Sequence, residues 1–264
     1  MKDLEYVRHW IESIRKEEAR GKRRIFLLYD SLHTLGLLHD DAELRMSAII
    51  AEAYSHTEVP VEVSSIHFDT DSTIKAYSCK EGHPSKNYHP FGSSSSDILR
   101  DLAVPILPSA AVSRVAGEIS VTVLPANAAD VVTLITNFLV ESEGGLLAGQ
   151  AVTPGRSSFI SAFCLLVLPN LLNLPSDVSL VHYPDYAKVF PYEEPERLAK
   201  AIIHETGHNF GLHHCKDKCI MTPSRTLGEK VARFLGILGD TDFVLDYRSP
   251  HFCYDCRNKL AIAR

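Results

Sequence analysis

Eleven residues, His204 to His214, read H-E-T-G-H-N-F-G-L-H-H and constrain this chain more than any other stretch of it. His204 and His208 stand four apart, so a helix through them projects both imidazoles from one face within reach of a single ion, and Glu205 follows one position round the turn. Gly211 tolerates a positive φ, which ends the helix and lets the chain turn so that His214 swings back as a third ligand. Three protein ligands leave one position of a tetrahedral zinc open. In that catalytic arrangement the metal lowers the pKa of a bound water to about 7 and polarises a carbonyl, with Glu205 placed as general base. In a chain with 13 His a bare H-E-x-x-H is a weak signal; Gly211 and His214 at the right offsets make the full pattern specific. The metal helix is expected to begin near Glu193 or Glu194, where Pro195 fits the first turn and the acids suit the positive end of the helix dipole. Leu198, Ala201 and Ile202 anchor it inward.

From His214 the run continues as H-C-x-x-x-C-x-M, with Cys215, Cys219 and Met221, and Cys253 and Cys256 close a C-Y-D-C pair further on. Together with the histidine motif these residues resemble the archaemetzincin family of metzincin zinc peptidases. The resemblance implies that His204, His208 and His214 bind a catalytic zinc and that Glu205 is the base. It implies that Met221 forms the Met-turn under that metal and that Cys215, Cys219, Cys253 and Cys256 hold a second, structural zinc, giving two zinc ions per chain. It implies an α/β (α+β) fold of the metzincin-like zincin kind, a mixed twisted sheet packed with an active-site helix, plus a small C-terminal zinc-stapled subdomain. The implied activity is hydrolysis of peptide bonds in a peptide or protein substrate, with endo- and aminopeptidase action both open. Cys215 and Cys219 stand one residue closer than in the family pattern, and the 31 residues between Met221 and Cys253 exceed it. Val231, Phe234, Leu235 and Leu238 recur at helical spacing, so a helix over Leu227 to Leu238 is expected to fill that gap.

Cysteine usage favours metal over disulfides. Of six cysteines, four fall in the two close pairs; Cys164 reads as a core residue and Cys79 as a lone loop thiol. Met1 is followed by Lys2, Asp3 and a charged segment with no apolar signal-peptide core, and no run is long enough to span a membrane. The expectation is therefore a reducing, cytoplasmic setting, the nucleus included. A net charge of -6 disfavours nucleic acid and anionic membranes as partners, and the short cluster Lys22 to Arg24 reads as a solvated turn before a strand. Oligomeric state is not written in these residues.

With 264 residues, 45% of them hydrophobic, the chain can bury a sizeable core. We read residues 1–23 as an N-terminal amphipathic helix and 24–264 as a catalytic domain, divided into an upper part of about 24–211 and a lower part of about 212–264. Leu4, Val7, Ile11 and Ile14 give residues 2–20 one apolar face. A strand over Ile25 to Tyr29, a helix over Asp41 to Ser55 and a strand over Val61 to Phe68 imply a crossover and partly parallel pairing. Residues 69–95 show little periodicity and read as a long surface loop; Ser96 or Asp97 caps a short helix through Leu102. Ile119 to Leu124 and Val131 to Ile135 read as strands.

Gly149 to Val152, a turn at Thr153 to Arg156, and Ser158 to Phe163 form an expected hairpin. In metzincins the edge strand pairs with extended substrate, so Gly149, Gln150 and Ala151 are candidates to hold a peptide by strand addition. His213 is one position off the ligand spacing and reads as exposed or as a donor behind the ligands. No tyrosine directly follows Met221, which leaves the stabiliser of a tetrahedral intermediate unassigned. Two further classes stay open: a catalytically silent zinc-binding module that holds peptides or proteins on a metzincin-like scaffold, and a zinc hydrolase acting on other bonds.

Overall fold

Residues Arg23–Tyr29 form strand β1, buried from Arg24 onward. A strand without polar alternation is one covered on both faces, and the chain supplies both covers. A computed structural model describes residues 2–17, 23–30, 41–57, 60–80, 106–126, 129–142, 145–152, 155–162, 165, 195–216, 219–222 and 249–262. Helix α1 is Lys2–Glu17, α2 Ala42–Ser55, β2 Val61–His67, α3 Thr70–Lys80, β3 Ile106–Pro108 and α4 Ser109–Val123. There follow β4 Val131–Thr136, β5 Leu139–Ser142, β6 Gly145–Leu147, β7 Gly149–Ala151, β8 Ser157–Ser161, α5 Pro195–Asn209 and α6 Tyr254–Ile262.

The main sheet runs β2-β1-β4-β8-β7. Its first four strands are parallel, with Ile25 opposite Val131 and Val132 opposite Ser157, and β7 is an antiparallel edge, with Gly149 opposite Ile160. A small sheet, β3-β5-β6, stands apart. Alternation along the strands sorts the core into two layers. Ile25, Leu27, Val131, Ile135 and Ile160 face α2, α5 and α6. Phe26, Leu28, Val132, Leu134 and Phe159 face α1, α3 and α4. This is the mixed sheet with a packed metal helix that the sequence led us to expect.

The N-terminal helix belongs to the second layer. Leu4, Val7 and Ile11 are buried there, Trp10 meets Phe26 edge to face at 5.7 Å, and Arg15 reaches the buried Asp130 carboxylate at 2.6 Å. Asp130 also accepts the Arg24 backbone N–H at 3.1 Å, so one carboxylate ties α1 to β1. Burial raises the Asp130 pKa against the pull of Arg15 and Arg24.

Two expectations are corrected. Residues 69–95 are not loop throughout: Thr70–Lys80 is α3 and includes Cys79. Its stability comes from tertiary partners, since Thr70 Oγ1 donates to the Ile135 carbonyl at 2.9 Å and Asp71 accepts from Thr136 Oγ1 at 2.7 Å. Ile119 to Leu124 is no strand; Ile119 to Val123 is the end of α4. Val112, Val115, Ala116, Ile119 and Val123 bury one helical face there, and that packing overrides the strand preference of the β-branched run. The expected helices over residues 96–102 and 227–238, and Cys164, lie outside the described residues. No helix among the described residues is long and apolar enough to cross a membrane.

Candidate metal centre

Helix α5 begins at Pro195, whose missing N–H is no loss in a first turn. Glu196 follows in that turn and lies 2.6 Å from the buried Lys200 ammonium, a Glu-to-Lys i,i+4 pair of the favoured polarity. Leu198, Ala199, Ile202 and Ile203 are fully buried and press the helix onto the sheet. His204 and His208 project from another side of its last two turns, and Glu205 lies between them and the buried face. At Gly211 φ is +91°, the αL turn expected, and the chain doubles back to bring His214 beside the other two histidines.

The three imidazoles converge, with ring centroids 4.8, 5.3 and 4.7 Å apart and their nearest nitrogens all within 4.8 Å. Two rings have a defined tautomer. His204 Nδ1 lies 2.7 Å from the Ile220 carbonyl and His208 Nδ1 lies 2.8 Å from that of Leu212. A carbonyl only accepts, so each Nδ1 carries the proton and each Nε2 presents a lone pair. Those Nε2 atoms are 3.2 Å apart. A tetrahedral zinc with Zn–N of about 2.0–2.1 Å has N–N edges of about 3.3–3.4 Å, so the pair fits such an ion. Burial, seconded by the neighbouring His214 and His213, holds His208 below the ordinary imidazole value against the bond to Leu212, which favours the neutral ligand form. His213 is exposed.

Glu205 points from the same helix toward the edge strand. A Cβ on Gly149 would stand 3.0 Å from Glu205 Cγ and 2.8 Å from Ile160 Cδ1, so this strand lies against the carboxylate only because residue 149 lacks a side chain. Burial pushes the Glu205 carboxyl up to about 8. Asn209, at the end of α5, fixes the hairpin from behind: its Nδ2 donates to the carbonyls of Val152 at 3.1 Å and Ser157 at 2.8 Å. Gln150 is exposed on that edge, with Ser113 Oγ 3.4 Å from its Oε1.

Met221 is fully buried under the helix. A Cβ on Gly207 would meet its Sδ at 2.6 Å, so glycine is what lets the turn at 219–222 seat beneath the histidines. Tyr54 of α2 braces the same region, its hydroxyl 2.7 Å from Thr206 Oγ1 and its ring against Phe210 and Phe252 at 5.7 and 5.1 Å. Neither Tyr54 nor the Ile220 carbonyl had a sequence signal: one acts from a distant helix, the other through the backbone.

The four cysteines also meet. Cys215 Sγ and Cys253 Sγ are 3.7 Å apart, Cys219 Sγ and Cys256 Sγ 3.9 Å, and all four sulfurs lie within 4.8 Å of one another. Disulfides need about 2.05 Å, whereas a tetrahedron with Zn–S of about 2.3 Å has edges of about 3.8 Å. Burial pushes the Cys256 thiol up, as do the charges of the other three. Burial acts the same way on Cys253, yet hydrogen bonds from Cys256, Cys215 and Cys219 outweigh it and leave that thiol below its usual value. Sulfurs gathered like this repel when ionised and are suited to one divalent cation. The shortened Cys215 to Cys219 spacing therefore does not prevent the cluster from closing.

Residues 188–262 match the family model for Peptidase family M54. Archaemetzincin from Methanopyrus kandleri is 33% identical over 113 residues, which is 42% of this chain and 44% of that protein. Archaemetzincins from Aeropyrum pernix and Pyrobaculum aerophilum are 35% and 42% identical over 68 and 67 residues, each 25% of this chain and 29% and 34% of theirs. Over these matched segments the chain is similar to archaemetzincins. The likeness is carried by the segment that holds α5, the Met221 turn and the thiols, and the alignments span less than half the length of these archaemetzincins.

Proposed function

We propose that this protein is a zinc-dependent metallopeptidase in which His204, His208 and His214 hold the catalytic ion and Glu205 is the general base. The observation that carries this reading is the convergence of three histidines beside the Glu205 side chain and the strand that, among the described residues, ends the main sheet. The zinc would supply Lewis-acid polarisation of a peptide carbonyl and a more acidic water. The chain's own residues do the rest. Ile220 and Leu212 orient two imidazoles through their carbonyls. The charge of a bound zinc would oppose the burial that raises the Glu205 pKa and favour its carboxylate, which would accept a proton from the attacking water and pass it to the departing amine, so no covalent acyl-enzyme is required. The edge strand at Gly149, Gln150 and Ala151, exposed at Gln150, would offer backbone N–H and C=O groups to an extended peptide, a mode that reads main chain more than side chain.

The remaining assignments follow from the same reading. Cys215, Cys219, Cys253 and Cys256 hold a second zinc as a structural staple, so the protein carries two ions. Gly211 divides an upper part of about 24–211 from a lower part of about 212–264, Met221 forms the Met-turn, and α1 closes the far side of the sheet. Reduced thiols are suited to the cytoplasm.

The test is Glu205→Gln with a peptide library and zinc analysis. Zinc content should be unchanged while turnover of any accepted peptide falls by about 10²- to 10⁴-fold, the usual share of a general base. Equal turnover in the variant refutes the role. A parent that binds zinc and peptides yet cleaves none would instead point to the silent binding module.

A further inference from the structure

The turn at 219–222 touches both clusters. Cys219 contributes a thiol to the four-sulfur group, and the Met221 N–H approaches that same sulfur at 3.4 Å. One residue on, the Ile220 carbonyl accepts from His204 Nδ1 at 2.7 Å. The Met221 carbonyl accepts the Cys215 N–H at 2.9 Å, and Cys215 directly follows His214 in the chain. The Ile220 N–H is bound in turn to the His251 carbonyl at 3.2 Å, two residues before Cys253. His204 and His214 are thus each one link from the thiol cluster. His208 is not, because its Nδ1 partner, Leu212, lies in its own helix-ending turn.

We infer that the two metal centres are energetically coupled through the Cys219–Met221 turn, a positioning element whose geometry the four-thiol site sets and which aims His204 and His214. The inference rests on the zinc reading of both clusters given above. A metal among the thiols fixes Cys215 and Cys219 relative to Cys253 and Cys256. That in turn fixes the Ile220 carbonyl, which accepts from His204 Nδ1 and so directs the Nε2 lone pair at the catalytic position. Groups that orient metal-binding histidines from behind typically contribute 10- to 100-fold in metal affinity. Coupling of equilibrium affinities is reciprocal, so emptying the histidine site must weaken the thiol site by a comparable factor.

The experiment uses the full chain loaded with zinc, with the affinity of each site read by competition against a chelator. The histidine site of Cys253→Ser should bind zinc 10- to 100-fold more weakly than that of the parent, and the visible d–d spectrum of Co2+ placed there should shift. Cys253→His, which restores a Cys3His ligand set of the kind structural zinc accepts, should recover both. His208→Ala empties the histidine site without touching the turn and should weaken zinc among the thiols comparably. Where Cys253→Ser does not fold, a thiol-directed mercurial added to the folded parent displaces the thiol-site zinc, and the same affinity is then measured. A parent that holds two zinc ions and keeps the same histidine-site affinity when the thiol-site ion is lost overturns the coupling alone. A parent with one zinc ion, held by the histidines, overturns the coupling and the second-ion assignment, whereas a parent whose histidines hold none overturns the functional reading as well.

Discussion

The histidine and thiol clusters lie one residue apart in the sequence and are assembled in opposite ways. All three histidines fall within eleven residues, two on one helix, and the geometry follows from the 3.6-residue turn and a glycine at φ +91°. The thiols come from two segments, 215–219 and 253–256, separated by 33 residues, so only the tertiary fold brings them together. A locally written site survives as long as its helix does. A site written across a long separation is itself part of what holds the fold, since an ion there closes a loop that the unfolded chain leaves open.

That contrast can be broken by experiment. The largest expected effect is on stability at the thiol site. Structural zinc contributes on the order of 10–16 kcal/mol in small domains, and each kcal/mol moves Tm by about 2–4 °C in a chain of this size class. Cys256→Ser should therefore lower Tm by more than about 10 °C and open residues 249–262 to protease. His204→Ala should abolish turnover while lowering Tm by less than half as much, and equal losses would erase the distinction. Gly207→Ala probes the seam between the sites. The added methyl meets Met221 Sδ, and overpacking of about 1–3 kcal/mol exceeds the roughly 1 kcal/mol gained in helix propensity, so Tm should fall by a few degrees. A rise in calorimetry would mean that Met221 is loosely seated. Tyr54→Phe should cost least, about 0.5–1.5 kcal/mol, because Thr206 keeps its bond to the Ile202 carbonyl at 2.7 Å. Both zinc ions should remain bound, and loss of either would promote Tyr54 from brace to determinant of the site.

The same local and non-local divide governs what could be read beforehand. The helix of the motif, its glycine stop, strands β1, β2 and β4 and the β7–β8 hairpin are each spelled out by contiguous spacing. Helix α3 is not: among its described side chains T-D-S-T-I-K-A-Y-S-C-K has Ile74 as a fully buried apolar anchor, and its first turn is held by Ile135 and Thr136 of β4 and by Asn137 just after it. Helix α4 misleads in the other direction, because I-S-V-T-V is a good strand sequence in isolation. In place, Ser120 and Thr122 turn their hydroxyls back onto the carbonyls of Gly117 and Glu118, and Val123 packs inward. At the candidate metal centre the grouping of the three histidines was legible and their backbone acceptors were not, since a carbonyl belongs to every residue.

The bond between the Ile220 N–H and the His251 carbonyl has an architectural consequence. It clasps the two ends of the stretch from 223 to 248 at a fixed separation, just outside both ligand sets. It holds the turn that carries Cys219 and Met221 against the segment that leads into Cys253 and Cys256, whatever the length of chain that joins them. A change in the number of residues between Met221 and Cys253 should then leave the histidine and thiol clusters in register, because the clasp and not the intervening length sets how the two segments meet.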